Sequence, residues 1–73
     1  AAVLDAEARQ ALYAAITALP DIYRETVMLH FFSELRYEEI AQLMGVSEGT
    51  VKSRMARAKE RLFALLKGGE QHG

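Results

Sequence analysis

Residues 44–62 read MGVSEGTVKSRMARAKERL. Gly45 stands where a helix C-terminus favours a left-handed residue, and Ser47 stands where the next helix favours an N-cap. "GVS" is therefore a tight link between two helices, with Val46 tucked inward. The helix that follows is expected from Glu48 to Lys67, ending before Gly68-Gly69. At about 100° per residue, Val51, Met55, Ala58, Leu62 and Leu65 fall in one narrow sector, with Leu66 at its edge. That sector is the expected buried face. Opposite it lie Gly49, Ser53, Ala56 and Glu60, the first three of them small. Lys52 and Lys59 flank this ridge on one side and Arg57 on the other. Arg54 and Arg61 lie lower, where long stems reach outward from the core margin.

Charge is concentrated in the same place. The chain of 73 residues has a formal net charge of −1, yet five of its nine cations fall between Lys52 and Arg61, against the single acid Glu60. The other residues are correspondingly acidic, so the near-neutral total hides a segregated field. The cations begin near the N-terminal end of their helix, where the dipole disfavours them. A polyanionic partner accounts for that placement; a solvated basic face is the alternative. Small residues bordered by cations, on a helix joined to a short preceding helix by a glycine turn, describe a helix-turn-helix. The major groove of B-DNA admits such a helix between walls of phosphate. Its N-terminal side chains reach base edges while rim cations meet phosphates.

The rest of the chain reads as helix as well. Ala8, Ala11, Leu12, Ala15, Ile16 and Leu19 recur at three- and four-residue steps after a capping Asp5. Pro20 divides this first helix from a second, "PDIYRETVMLHFF", which it opens as a first-turn proline. Ile22, Thr26, Leu29 and the Phe31/Phe32 pair supply its expected inward stripe, widened by Val27 and Met28. "SELR" is a loop, and "YEEIAQLM" a short third helix with Ile40, Ala41, Leu43 and Met44 on its apolar side. No sustained period-two alternation argues for strands. The expectation is an all-α, small four-helix domain over residues 1–67, with the helix-turn-helix motif at about 37–60 and a disordered tail at 68–73.

Composition narrows the function. There is no cysteine, which removes disulfides, thiolate metal sites and a cysteine nucleophile. His30 and His72 have no ligand partners nearby, so neither metal nor cofactor is expected. Glu38 and Glu39 point about 100° apart on a helix with no converging nucleophile. They read as a solvated helix start, with a recognition-helix arginine as the alternative partner. No catalytic residue and no enzyme activity are expected. No apolar run approaches the roughly 20 residues that span a bilayer, and the N-terminus lacks signal-peptide features. A cytoplasmic domain without a membrane partner is the expectation. Tyr13, Tyr23 and Tyr37 read as core-edge residues.

The segment LPDIYRETVMLHFFSELRYEEIAQLMGVSEGTVKSRMARAKERL resembles region 4 of bacterial sigma factors, specifically the extracytoplasmic-function group. The matching features are "LP" opening the second helix, "YEEIA" on the third, and "GTVKSR" followed by "RA" on the fourth. The resemblance implies that the recognition helix enters the major groove of the −35 element in double-stranded promoter DNA. It also implies docking on the β flap of the RNA polymerase core, and an anti-sigma factor as a further partner. Position by position, Lys52, Ser53, Ala56 and Arg57 match groove-facing positions. Gly49 and Thr50 match the N-terminal turn that lies against the DNA backbone. Arg54 and Arg61 match phosphate contacts or intramolecular pairs. His30 falls where some relatives place a cation, although a core-edge role suits a lone histidine better. Ala56 departs from relatives with a bulky side chain there, which puts the preferred base pattern in doubt. Nothing here resembles region 2, so the chain reads as a domain of a longer protein, with "AAVLD" near an interdomain linker. Two other readings stand beside this one: a sigma-like module that mainly binds an anti-sigma factor, and the output domain of a helix-turn-helix regulator.

Overall fold

Helix ends in this chain are set by local chemistry. The computed structural model describes residues 5–70, with side chains described through Lys67. Within that span the elements are α1 (Ala6–Thr17), α2 (Asp21–Phe31), α3 (Tyr37–Met44) and α4 (Glu48–Glu70), without strands. Asp5 caps α1, its carboxylate accepting the N–H of Ala8 at 2.7 Å. Pro20 ends the link and stands as the N-cap of α2, one position before the first helical residue. Its carbonyl accepts the N–H groups of Tyr23 and Arg24 at 3.0 and 2.9 Å. The 32–36 loop turns at Glu34, whose φ of 57° is left-handed. Gly45 ends α3 at φ 71°, ψ 35°, and Val46 donates to the Ala41 carbonyl at 3.0 Å, closing the helix as a left-handed cap does. Ser47 Oγ then accepts the Thr50 N–H at 3.1 Å and starts α4.

Two apolar clusters share α4. Ile16, Leu19, Val27, Met55 and Ala58 join α1, the α1–α2 link, α2 and α4, with Leu12, Tyr23, Met28 and Leu62 packed around them. Ile40, Ala41 and Val51 join α3 to α4, supported by Leu29, Leu35, Met44 and Val46. Tyr37 packs against both, so it is the joint between the clusters. Thr26 is fully buried, and its hydroxyl is satisfied by donating to the Ile22 carbonyl at 2.8 Å. With α3 only eight residues long, its stability comes from this packing and not from propensity.

Several apolar positions differ from their sequence expectation. Phe31 and Phe32 are 55% and 54% exposed, not inward, at the C-terminal end of α2, where Phe32 meets Tyr13 edge-to-face. Ile22, Leu43 and Leu65 are exposed as well. Leu65 is 45% exposed, while Leu66, expected only at the edge of the face, is half-buried. The fourth helix continues through Gly68 and Gly69 to Glu70, three residues past the expected end. Glycine lowers helix stability by about 1 kcal/mol relative to alanine without forbidding the conformation. Ala1–Leu4 and Gln71–Gly73, including the expected linker and the end of the expected tail, lie outside the described residues. Among the described residues no helix is long and apolar enough to cross a membrane, and no group of three histidines or carboxylates could hold a metal ion.

Met55 is 2% exposed at the centre of the larger cluster. Met55→Ala is expected to destabilise the domain by about 2–5 kcal/mol, seen as a lowered midpoint in denaturant unfolding with circular dichroism. An unchanged midpoint contradicts the central place of this side chain.

Candidate nucleic-acid interface

The buried stripe of α4 fixes what its other face presents. Val51, Met55 and Ala58 are 1%, 2% and 0% exposed, which turns Lys52, Ser53, Ala56, Arg57, Lys59 and Glu60 to the solvent side. Gly49 is exposed in the first turn. Thr50 is half-buried and tied into the cap, its hydroxyl 2.9 Å from Ser47 Oγ. An open groove of about 430 Å³ runs between the first turn of α2 and the start of α4, lined by Ile22, Tyr23, Ser47, Gly49, Thr50, Ser53, Arg54 and Arg57. It brings together five of the eight residues expected to meet DNA. Lys52, Ala56 and Arg61 lie outside it. Ile22 and Tyr23 are its unexpected wall: Pro20 announces where α2 begins, but nothing in the sequence says what its first turn faces.

The five cations of α4 between Lys52 and Arg61 have different surroundings. Lys52 pairs with Glu48 at 3.8 Å, one turn earlier, and both side chains are more than half exposed. Such a pair is worth only about 0–1 kcal/mol, so Lys52 can exchange it for a phosphate. Glu48 also offsets the unfavourable position of Lys52 near the helix N-terminus. Arg54, Arg57 and Lys59 have no salt-bridge partner among the described residues. The guanidinium of Arg61 lies over the ring of Tyr23, 5.1 Å from its centroid.

The residues around the motif are structural. Glu38 and Glu39 both turn to Arg36, at 3.5 Å each, and not to arginines of α4. Glu39 also accepts the backbone N–H of Arg36 at 2.8 Å, the carboxylate half of a capping box. His30 Nδ1 donates to the Leu35 carbonyl at 2.9 Å, and its ring lies 4.8 and 4.9 Å from those of Phe31 and Tyr37. It braces the corner between α2 and α3.

A short helix, a left-handed glycine turn and a capped second helix with a small-residue outer ridge make this a helix-turn-helix domain of the DNA-binding class. Residues 9–62 match the family model described as Sigma-70, region 4, and the chain belongs to that family. It is 40% identical over 63 residues to the ECF RNA polymerase sigma factor SigM of Bacillus subtilis, covering 86% of this chain and 39% of that protein. It is 41% identical over 58 residues to the ECF RNA polymerase sigma-E factors of Salmonella typhimurium and Escherichia coli, covering 80% of this chain and 30% of each. The chain thus spans between 30% and 39% of the length of these curated relatives.

The backbone hydrogen bond from Arg36, followed by its positive charge and its side-chain hydrogen bonding, holds the Glu39 carboxyl below its ordinary value. A depressed carboxylate contributes stability above the ordinary glutamate pKa of about 4.3 and loses it as pH falls through the folded-state value. Acid titration of thermal stability is expected to fall more steeply for the native chain than for Glu39→Gln below about pH 4.3. Parallel curves would remove Glu39 from the support of α3.

Proposed function

We propose that this domain reads the −35 element of promoter DNA and docks on the β flap of RNA polymerase, as part of a cytoplasmic sigma factor that starts transcription. One observation carries the DNA half: an outward ridge of Gly49, Ser53 and Ala56, flanked by cations, on a helix whose rotation the core fixes. Lys52, Ser53, Ala56 and Arg57 are the proposed groove-facing residues, and Gly49 and Thr50 the turn against the backbone. Arg54 lines the same groove as Arg57 and suits a phosphate. With small side chains on the ridge, base discrimination falls chiefly to Arg57, which suits the O6 and N7 acceptors of guanine, while Lys52 suits the phosphate wall of the groove.

The polymerase half rests on a second surface. An apolar groove of about 630 Å³ is lined by Leu12, Tyr13, Ala14, Ile16 and Phe32, with Arg9 and Gln10 among its polar lining residues. Tyr13 and Phe32 meet edge-to-face, their ring centroids 6.2 Å apart, and both are more than half exposed. None of the lining residues belongs to α4, so this surface is free when α4 occupies a DNA groove. We assign it to the polymerase, with an anti-sigma factor as the proposed competitor.

Selection from random duplexes at low salt, followed by capture on the isolated β flap, tests both halves. An enriched short asymmetric motif with flap capture is the expected result; a palindrome without capture would indicate a dimeric regulator instead. On the selected duplex, Arg57→Ala is expected to cost about 1–3 kcal/mol and relax preference at one position. Lys52→Ala is expected to weaken all duplexes alike and flatten the salt dependence by about one counterion. Equal affinities for both variants and the native chain would sink the groove assignment.

Tyr13→Asp and Phe32→Asp are expected to lower flap capture about tenfold or more while leaving duplex affinity within twofold. Loss of both activities together would mean that the apolar groove is not a separate surface.

A further inference from the structure

Tyr23 occupies an unusual position for an aromatic residue beside a basic helix. It packs against the cluster of Ile16, Leu19, Val27, Met55 and Ala58. It also lines the groove that holds Arg54 and Arg57. The Arg61 guanidinium, in turn, lies over its ring, 5.1 Å from the centroid. Arg61 is directed elsewhere than its neighbours: it lines a depression with Ala18, Leu19, Pro20, Ala64 and Leu65, at the junction of α1 and α2. Tyr23 therefore divides the arginine edge of α4, with Arg54 and Arg57 on the groove side and Arg61 on the far side.

The place of this contact along α4 gives it leverage. Among the described residues Ala58 is the last fully buried one of the helix, Leu62 is half-covered, and Phe63 is 70% exposed. Beyond Ala58, Leu62 packs on the larger cluster, Leu66 is half-buried, and Arg61 lies on Tyr23. An alanine lets two helices approach closely, while their crossing angle is set by which rows of side chains interlock at the contact. A guanidinium on an aromatic face supplies a directional contact there. Arg61 also stands nine residues beyond Lys52, about 13 Å further along the helix axis at 1.5 Å per residue. An N-terminal approach to the groove leaves it far from base edges.

We propose that Tyr23 and Arg61 form a clasp that sets the tilt of α4 against α2 and so positions Arg57 for base reading. Tyr23 is then a positioning residue, and Arg61, an exposed side chain, belongs to the intramolecular bracing of the domain and not to its DNA contacts. This inference rests on the DNA-reading role proposed above.

Two measurements on the 73-residue chain separate the clasp from that role. The first is made without DNA. Ring-current displacement of the Arg61 side-chain protons in the NMR spectrum is expected in the native chain and in Tyr23→Phe, and is expected to vanish in Tyr23→Leu. Its absence from the native chain overturns the clasp, whatever the DNA result. The second compares binding of the selected duplex and a scrambled duplex across a salt series. Tyr23→Leu and Arg61→Gln are each expected to reduce the selected-to-scrambled ratio about threefold to tenfold, with the double variant no worse than either single variant. Tyr23→Phe is expected to restore the native ratio, because it keeps the ring. The salt slope is expected to stay unchanged in Arg61→Gln and to fall by about one in Lys52→Ala. A salt slope lowered by Arg61→Gln makes Arg61 a phosphate contact and overturns the proposal. Losses that multiply in the double variant overturn it too. A ring-current signal present in a native chain that prefers no duplex overturns the DNA-reading role, and the positioning role with it.

Discussion

Ala58 has no exposed surface, and with Val51 and Met55 it fixes the rotation of α4 about its own axis. Everything the domain presents to a partner depends on that rotation. A slip of one residue turns the helix by about 100° and would carry Lys52 and Lys59 toward the core. Burying an ammonium without a partner is far more costly than losing a methyl contact, so the basic flank and the apolar stripe enforce the same register. The inner face selects by packing and the outer face by exclusion. The three small residues of the outer ridge contribute little to stability, and their value is the room they leave.

Rotation alone does not place a helix; its starting point must be fixed too. The left-handed Gly45 and the cap from Ser47 to Thr50 settle where α4 begins relative to α3. Tyr37 then ties α3 to both apolar clusters, while His30 braces the preceding corner through the Leu35 carbonyl. The recognition helix is thus held by packing along one face, by a turn at its start and by Tyr23 beside its second half.

The elements legible in the sequence are those governed by nearest neighbours in the chain. Asp5, Gly45 and Ser47 act on backbone groups within a few residues, and each occupies the terminal role its type implies. The stripe of Val51, Met55 and Ala58 was legible because a period of 3.6 residues selects one face. What the period does not tell is how far a covering neighbour extends. Phe31, Phe32, Ile22, Leu43 and Leu65 sit on apolar faces but at helix ends or beyond the reach of a second helix, so they remain exposed. The site was legible only on α4. Its other wall, Ile22 and Tyr23, comes from a residue run about thirty positions earlier, joined to the groove by tertiary packing alone.

The distribution of charge follows from the same geometry. A formal net charge of −1 suggests no affinity for a polyanion, yet charges separated by more than a Debye length of about 8 Å are largely screened at physiological salt. On α2, Asp21 adjoins the groove wall at Ile22 but is already paired with Arg24 at 2.6 Å. The acids that matter are Glu48 and Glu60, carried by α4 itself. Glu48 lies in the first turn, where the helix dipole favours it, and is already paired with Lys52. Glu60 stands on the outer ridge among cations, in line with Ser53 and Ala56 and about two turns beyond Ser53. A carboxylate there repels a phosphate wall that comes too close to the second half of the helix, while the cations ahead of it attract one. Cations flanking the ridge and a carboxylate at its far end favour an approach led by the N-terminal end of α4, the end where the small residues leave the backbone open.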